Sequence, residues 1–352
     1  MRILYLLLNT APDETLREIA SGAIPSDRMY GLFELRQLGH DVSYQCMRPT
    51  GALQKVFKPL NDRFGFCLPD LGVLRKLKQY DVIVVNGPFS TLVTIAAKLQ
   101  KKKLVYLDTI LRLPKSTIRK MIYRCNVLLS TGTIMYTKTQ TRQCAESLNV
   151  DCSRFKLIPF AIDFSYYKKF KKEPDEKREP FILAVGRDQG RDYNTLVQAA
   201  EGLKVGVKIV TLPYLLQGVA IDSNRIEILG NVSYERLYEL YSEAAFVVIP
   251  LRKWATAYSS GTRALLEAMA MGKCVIATHS PPLEEYAPEG EGILYVEPED
   301  HRDLRGKMEL LLNDPSLLKR IETKGNESSR ERYDIKNFAR TFSDYLSELY
   351  AG

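Results

Sequence analysis

Short apolar runs alternate along this chain with longer stretches in which apolar residues recur every three or four positions. Runs at about 2–8 (RILYLLL), 41–46 (DVSYQC), 81–86 (DVIVVN), 103–108 (KLVYLD) and about 126–130 (NVLLS) predict strands, with helices such as 28–39 and 90–100 between them. A second series follows, at 181–186 (FILAVG), 207–212 (VKIVTL), 226–230 (IEILG), 246–250 (FVVIP) and 274–278 (CVIAT). Between the two series, YYKKFKKEPDEKREP at 166–180 is charged, carries two prolines and has no apolar period, so it reads as a linker. The alternation predicts an α/β protein built of two doubly wound units, 1–166 and 181–334, joined by residues 167–180 and followed by an amphipathic tail at 335–352. In such sheets ligands collect at the carboxyl ends of the strands, where loops lead into helix N-termini.

Composition agrees with two cores: the chain has 352 residues, 45% of them hydrophobic and 26% charged. No apolar stretch approaches the roughly 20 residues that cross a bilayer. The opening MRILYLLLNT meets Asn9 and Thr10 before reaching signal-peptide length, so a buried first strand is expected there. Six scattered cysteines (Cys46, Cys67, Cys125, Cys144, Cys152, Cys274) form no CxxC pair, which fits a reduced, cytoplasmic protein without a protein-held metal. Charge changes the picture more. Residues 1–172 carry a net +15 and residues 173–352 a net −7. A basic half implies an anionic partner such as lipid headgroups, phosphorylated acceptors or nucleic acid. Within it, LRLPKSTIRKMIYRC at 111–125 sets Arg112, Lys115, Arg119, Lys120 and Arg124 among Leu111, Leu113, Ile118, Met121 and Ile122. Such a helix suits the inner face of an anionic membrane, and an ordinary helix with a solvated basic face has the same composition. Nucleic acid is the weaker partner, because no aromatic-rich basic motif accompanies the charge and the second half would repel a long polyanion.

Candidate chemistry gathers at the strand ends of the second series. In AVGRDQGRDYNTLVQAA (184–200), Gly186 and Arg187 follow a strand and Arg191 precedes a helix. Two arginines flanking such a turn fit a diphosphate, though a solvated basic loop would look alike and the GxGxxG of a dinucleotide site is missing. In LGNVSYERLYELYSEAAFVVIP (229–250), Gly230, Asn231 and Val232 form a turn before a helix that Ser233 is expected to cap. In YSSGTRALLEAMAMGKCVIATH (258–279), the small residues Ser259, Ser260, Gly261 and Thr262 run into an apolar helix with one carboxylate, Glu267. Unpaired amides at a helix start suit an anion. A carboxylate among Leu265, Leu266, Ala268 and Met269 needs a partner, and a sugar diol can supply one.

Together these segments resemble the retaining glycosyltransferases of the GT-B fold, specifically glycosyltransferase family 4 (glycosyl transferases group 1). LLEAMAMGKCVIAT is close to that family's LLEAMAxGxPVIAT; YGLFELRQLGHDVSY resembles its first helix and exit, and FKLIPFAIDFSYY its IPNGID segment. The resemblance implies two Rossmann-like domains facing a cleft, the second binding a UDP- or GDP-sugar, and a C-terminal helix crossing back to the first. It implies phosphate contacts from Arg187, Arg191, Gly186 and the amides of Ser260 to Thr262, base contacts from Gly230, Asn231 and Val232, and ribose on Glu267. A hexose would pass to a lipid-linked or anionic glycan acceptor on the basic side, by front-face attack, with no metal and no cofactor beyond the nucleotide sugar. Three departures accompany it. Ser259 stands where the family has the first glutamate of its acidic pair. Asp108 stands where it often has a histidine near the acceptor, as the histidines here are His40, His279 and His301; at a strand end it suits a catalytic contact to an acceptor or sugar hydroxyl, and a simple cap of the following turn fits the same place. The first glycine loop is reduced to SGA at 21–23, leaving Gly22 as the phosphate contact. A catalytically silent or non-transferase GT-B protein that binds nucleotide sugar is the alternative.

Overall fold

The computed structural model describes residues 1–8, 12–47, 69–107, 113–172, 179–221 and 225–351. Asp108, Leu111 and Arg112, and positions 173–178 of the predicted linker, lie outside the described residues. The chain divides into two compact units, one of residues 1–21, 26–159 and 335–352, the other of residues 22–25 and 160–334.

In the first unit the described elements run β1 (Arg2–Leu7), α1 (Pro12–Ala20), α2 (Leu32–Gln37), β2 (Asp41–Cys46), α3 (Leu71–Lys76), β3 (Val82–Asn86), α4 (Thr91–Leu99), β4 (Lys103–Leu107), α5 (Thr117–Leu129), β5 (Gly132–Met135), α6 (Lys138–Leu148) and β6 (Phe155–Leu157). The strands form one parallel sheet in the order β2-β1-β3-β4-β5-β6, with Leu4 of β1 level with Ser43 on one side and Ile83 on the other. Central strands covered on both faces are apolar almost throughout, which is why RILYLL and VIVVN read as runs rather than as alternation. The helix predicted at 28–39 is a 3-10 turn, Ser26–Met29, and then α2, parted at Gly31 with φ 81°. The strand predicted at 126–130 is a correction: those residues close α5, and the strand is β5, Gly132–Met135. Val127 points inward while Leu128 and Leu129 are exposed, so the apolar run belongs partly to a helix stripe and partly to surface. Asn126 fits a helix as well, with Nδ2 donating to the Ile122 carbonyl (2.8 Å) and Oδ1 accepting from Thr94 Oγ1 (2.6 Å).

The second unit begins earlier than the predicted boundary at residue 166. Phe160 N donates to the Tyr286 hydroxyl (2.7 Å) and Ile162 N to the Tyr333 carbonyl (3.0 Å), so the stretch leading into α7 (Phe164–Tyr167) packs with the residues that follow it. Its sheet holds β7 (Phe181–Val185), β8 (Gly206–Val210), β9 (Ile226–Leu229), β10 (Phe246–Ile249), β11 (Val275–Thr278) and β12 (Ile293–Val296) in the order β12-β11-β10-β7-β8-β9, all parallel. The connecting helices are α8 (Tyr193–Ala200), α9 (Tyr234–Glu243), α10 (Thr262–Ala270), α11 (Pro281–Tyr286), α12 (His301–Asn313) and α13 (Pro315–Tyr333). Strand order reverses between β7 and β10, which makes their carboxyl ends the topological switch point, where sheets of this kind bind ligands. The last helix, α14 (Ile335–Ala351), belongs to the first unit; Phe338, Phe342 and Leu346 are buried there, and the Phe338 ring lies where a Cβ on Gly31 would crowd it, at 3.1 Å.

Candidate functional site

The switch-point loops are fastened to one another around a buried arginine. β7 ends at Val185, and the missing side chain of Gly186 leaves the space that Arg191 fills: a Cβ there would stand 1.8 Å from Arg191 Nε. Arg191 Nε donates to the Val185 carbonyl (3.2 Å) and Nη1 to Ser260 Oγ (3.3 Å), and Nη1 lies 3.5 Å from Asp188 Oδ2. Asp188 Oδ1 in turn accepts from Gly190 N and from Ser260 Oγ, both at 2.9 Å. Backbone pairs complete the clamp, from Asp192 N to the Pro250 carbonyl (3.0 Å) and from Arg252 N to the Gly190 carbonyl (2.8 Å). The Gly186 carbonyl accepts from the Tyr193 hydroxyl (2.8 Å) and Thr211 Oγ1 (2.7 Å), which pins the start of the loop. Arg191 is only 4% exposed, whereas Arg187 is exposed and pairs with none of the described residues. The two arginines therefore differ in kind: one holds the seat together and the other stands open at its rim.

The chain enters α10 through Gly261, whose φ of 89° is a conformation that side chains disfavour. A Cβ there would come within 2.8 Å of Ile249 Cγ2 and 3.4 Å of Arg191 Nη1. No side chain caps this helix; Ser260 N donates to the Tyr258 carbonyl (2.7 Å) and Thr262 N makes a long contact with the Ser259 carbonyl (3.5 Å). A helix start, a guanidinium and a hydroxyl are features that suit an anion, and here the guanidinium already faces the Asp188 carboxylate. Ser259 is half-buried, and its carbonyl accepts from Thr262 Oγ1 (3.1 Å).

Glu267 sits five residues further along α10, about 7.5 Å down the helix axis. It is 4% exposed, and its partners are phenols: Tyr167 donates to Oε1 (3.2 Å) and Tyr241 to Oε2 (3.4 Å), with Arg263 Nη1 3.9 Å from Oε1. Burial, followed by the Glu267 charge, pushes the Tyr241 phenol well above its ordinary range, so it stays protonated and donating. A diol at this carboxylate would share its oxygens with the two phenols. Sequence reading demanded a partner for Glu267 but missed these two, which come from α7 and α9; Asp188, the bond-maker of the first loop, was also missed.

Residues 221–328 match the family described as glycosyl transferases group 1. That match lies within the second unit and covers its later part. An uncharacterized glycosyltransferase of Methanocaldococcus jannaschii is 30% identical over 156 residues, 43% of this chain and 42% of that protein, so less than half of that relative's length is matched. Among solved structures, sucrose-phosphate synthase from Thermosynechococcus elongatus is similar over 100% of both chains (TM-score 0.74, 18% identity). Anabaena HepE, in complex with UDP and glucose, is similar over 99% of both (TM-score 0.70, 18% identity). These likenesses establish the fold as GT-B, with the two six-stranded sheets as its two Rossmann-like units.

In the second unit Gly22 (φ 73°) has Lys169 Nζ 3.1 Å from where its Cβ would be, and the next residue, Ala23, accepts from the Tyr166 hydroxyl (2.6 Å). The Tyr166 ring meets Tyr167 edge to face at 5.6 Å, so the Ala23 carbonyl is linked to Glu267 through two tyrosines, while Gly22 itself meets only Lys169. Gly230, Asn231 and Val232 follow β9 at the far edge of the sheet, two strands from β7, where Gly230 opens on empty space and Asn231 is exposed. Ser233 caps α9 as expected, accepting from Arg236 N at 3.2 Å. In the first unit Lys115 is exposed and Arg119 and Lys120 are half-buried. Among the described residues no group of three or more His, Cys, Asp or Glu side chains is placed to hold a metal ion, and no helix is long and apolar enough to cross a membrane.

Proposed function

We propose that the protein is a retaining glycosyltransferase that moves a hexose from a UDP- or GDP-sugar to a lipid-linked or anionic glycan acceptor, without a metal ion. The observation that carries this reading is the anion seat at the switch point, where Arg191, Ser260 and the uncapped start of α10 converge. Negative charge grows on the departing diphosphate in the transition state, and fixed donors aimed at it are worth about 3 kcal/mol each in comparable sites. Arg187 supplies a mobile cation at the rim, and Glu267 the acceptor for the ribose diol. Front-face attack lets the leaving phosphate take the acceptor proton, which asks little of a protein base; Asp108 is the candidate on the acceptor side.

A coupled assay for nucleoside diphosphate release tests the reaction. Release is expected only when an acceptor is present, and at an unchanged rate in EDTA; a loss restored by manganese would refute metal independence. Nucleotide binding without turnover would instead favour the silent GT-B reading, for which Ser259 in place of a carboxylate is the supporting observation.

The acceptor side of the proposal draws on the first unit. Leu92, Ile95 and Leu99 on α4 and Ile118 and Met121 on α5 are exposed, beside Lys98, Lys101, Lys115, Arg119 and Lys120. Apolar side chains among cations suit the headgroup region of an anionic bilayer and put the enzyme at the cytoplasmic face. In flotation at low salt with phosphatidylglycerol vesicles the protein is expected to rise with the lipid, and the double variant Ile118→Asp, Met121→Asp to stay behind.

A further inference from the structure

The chain has a single tryptophan, Trp254, and it is 44% exposed, on the 3-10 turn Lys253–Ala257 that leads directly into the anion seat. Large indole rings are ordinarily covered, and one left open beside a binding loop is an apolar surface offered to something. Its orientation is set from behind. The ring stacks on Tyr258 at 5.9 Å and 28°, and Tyr258 is locked in turn against the phosphate loop, since a Cβ on Gly190 would lie 2.8 Å from both its hydroxyl and Ala255 Cβ. Gly190 adjoins Arg191, so the indole belongs to the same rigid construction as the seat. The turn is tied down at its other end by Ser280 Oγ, which donates to the Thr256 carbonyl (3.0 Å).

We propose that Trp254, backed by Tyr258, is a stacking platform for a pyranose ring, a sugar subsite next to the diphosphate seat. A pyranose presents an apolar face of axial C–H bonds, weakly positive, that complements the negative face of an aromatic ring. Arg252 and Lys253, both exposed, put donors at the edge of the platform for hydroxyls that project from the ring. The subsite rests on the proposed function in one respect: the loop it borders is taken as the diphosphate seat.

Because Trp254 is the sole tryptophan, its fluorescence reports on this place alone. UDP, GDP, UDP-glucose, UDP-galactose, UDP-N-acetylglucosamine and GDP-mannose are first ranked by calorimetric affinity for the wild-type chain, and the tightest nucleotide sugar is taken forward with its own diphosphate. The expected result is a shift of tryptophan emission with the nucleotide sugar and little with the diphosphate. Trp254→Ala should lose about tenfold in affinity for the nucleotide sugar and keep its affinity for the diphosphate, and Trp254→Phe should recover most of the loss. A shift that appears only when maltotriose is added to the UDP-bound protein supports the platform and places the acceptor ring on it. Equal affinities in wild type and Trp254→Ala, with no emission change for any sugar, overturn the subsite while leaving the diphosphate seat intact. Failure of all six nucleotides to bind overturns the seat and the platform together.

Discussion

Replacing Glu267 with alanine is expected to abolish most of the stabilisation that the cognate nucleoside diphosphate confers. A ligand at 100 times its dissociation constant adds about 2.7 kcal/mol to the folded state. If Glu267 accepts both ribose hydroxyls, that increment shrinks towards zero in the variant at the same ligand concentration. The variant also has a cost of its own, because the Tyr167 and Tyr241 hydroxyls lose the oxygens they donate to. Leaving a buried donor unsatisfied costs about 1–3 kcal/mol, so the unliganded protein should melt earlier as well. The two effects separate in one experiment: thermal unfolding of wild type and Glu267→Ala, each with and without UDP, GDP, ADP and CMP. A ligand shift retained in full by the alanine variant would show that the carboxylate is a structural partner of the two tyrosines and nothing more.

The second large effect is expected at two glycines. In Gly186→Ala the new methyl occupies the place of Arg191 Nε, at 1.8 Å, so the guanidinium must leave its site and abandon Val185, Ser260 and Asp188. Overpacking costs about 1–3 kcal/mol and a buried cation stripped of its partners about 3–5 kcal/mol more, unless it escapes to solvent. Nucleotide affinity should fall with stability, since the same movement dismantles the seat. Gly261→Ala meets Ile249 Cγ2 at 2.8 Å and holds a side chain at φ 89°, a strain of about 1–3 kcal/mol by itself. Gly230→Ala is the control, because nothing lies within 4 Å of its Cβ and its φ is not positive, so its stability should change by no more than about 0.5 kcal/mol. Urea unfolding of the three variants checks the order; a Gly186→Ala chain as stable as Gly230→Ala would mean that Arg191 is not fixed where its bonds place it.

Much of the fold was readable from one dimension. Parallel strands covered on both faces must be apolar along their length, so β1, β3, β7, β10 and β11 announced themselves as runs. The misreading at 126–130 has the same root, because Val127, Leu128 and Leu129 make an apolar run whether they sit in a strand or at the end of α5. The strands β5, β6 and β12 were missed; in β5 (GTIM) and β6 (FKL) a small or polar residue breaks the apolar run. The site divides in the same way. That Ser260, Gly261 and Thr262 lead into a helix was recognisable, because small residues before an apolar period mark a helix start, a property of the local chain alone.

The sequence by itself determined two doubly wound units with opposite charge, a basic turn at Gly186 to Arg191 and a lone carboxylate on an apolar helix. Local rules suffice for these, because burial and backbone conformation act between neighbours in the chain. Only the tertiary structure decided that Arg191 is buried as the clamp while Arg187 stays open, that Tyr167 and Tyr241 are the partners of Glu267, and that Trp254 faces outward beside the seat. Each of those depends on which strand ends meet at the switch between β7 and β10 and which helices cover them. Contacts between residues 26 to 100 positions apart are set by how whole elements pack, and no period or spacing in the chain encodes them.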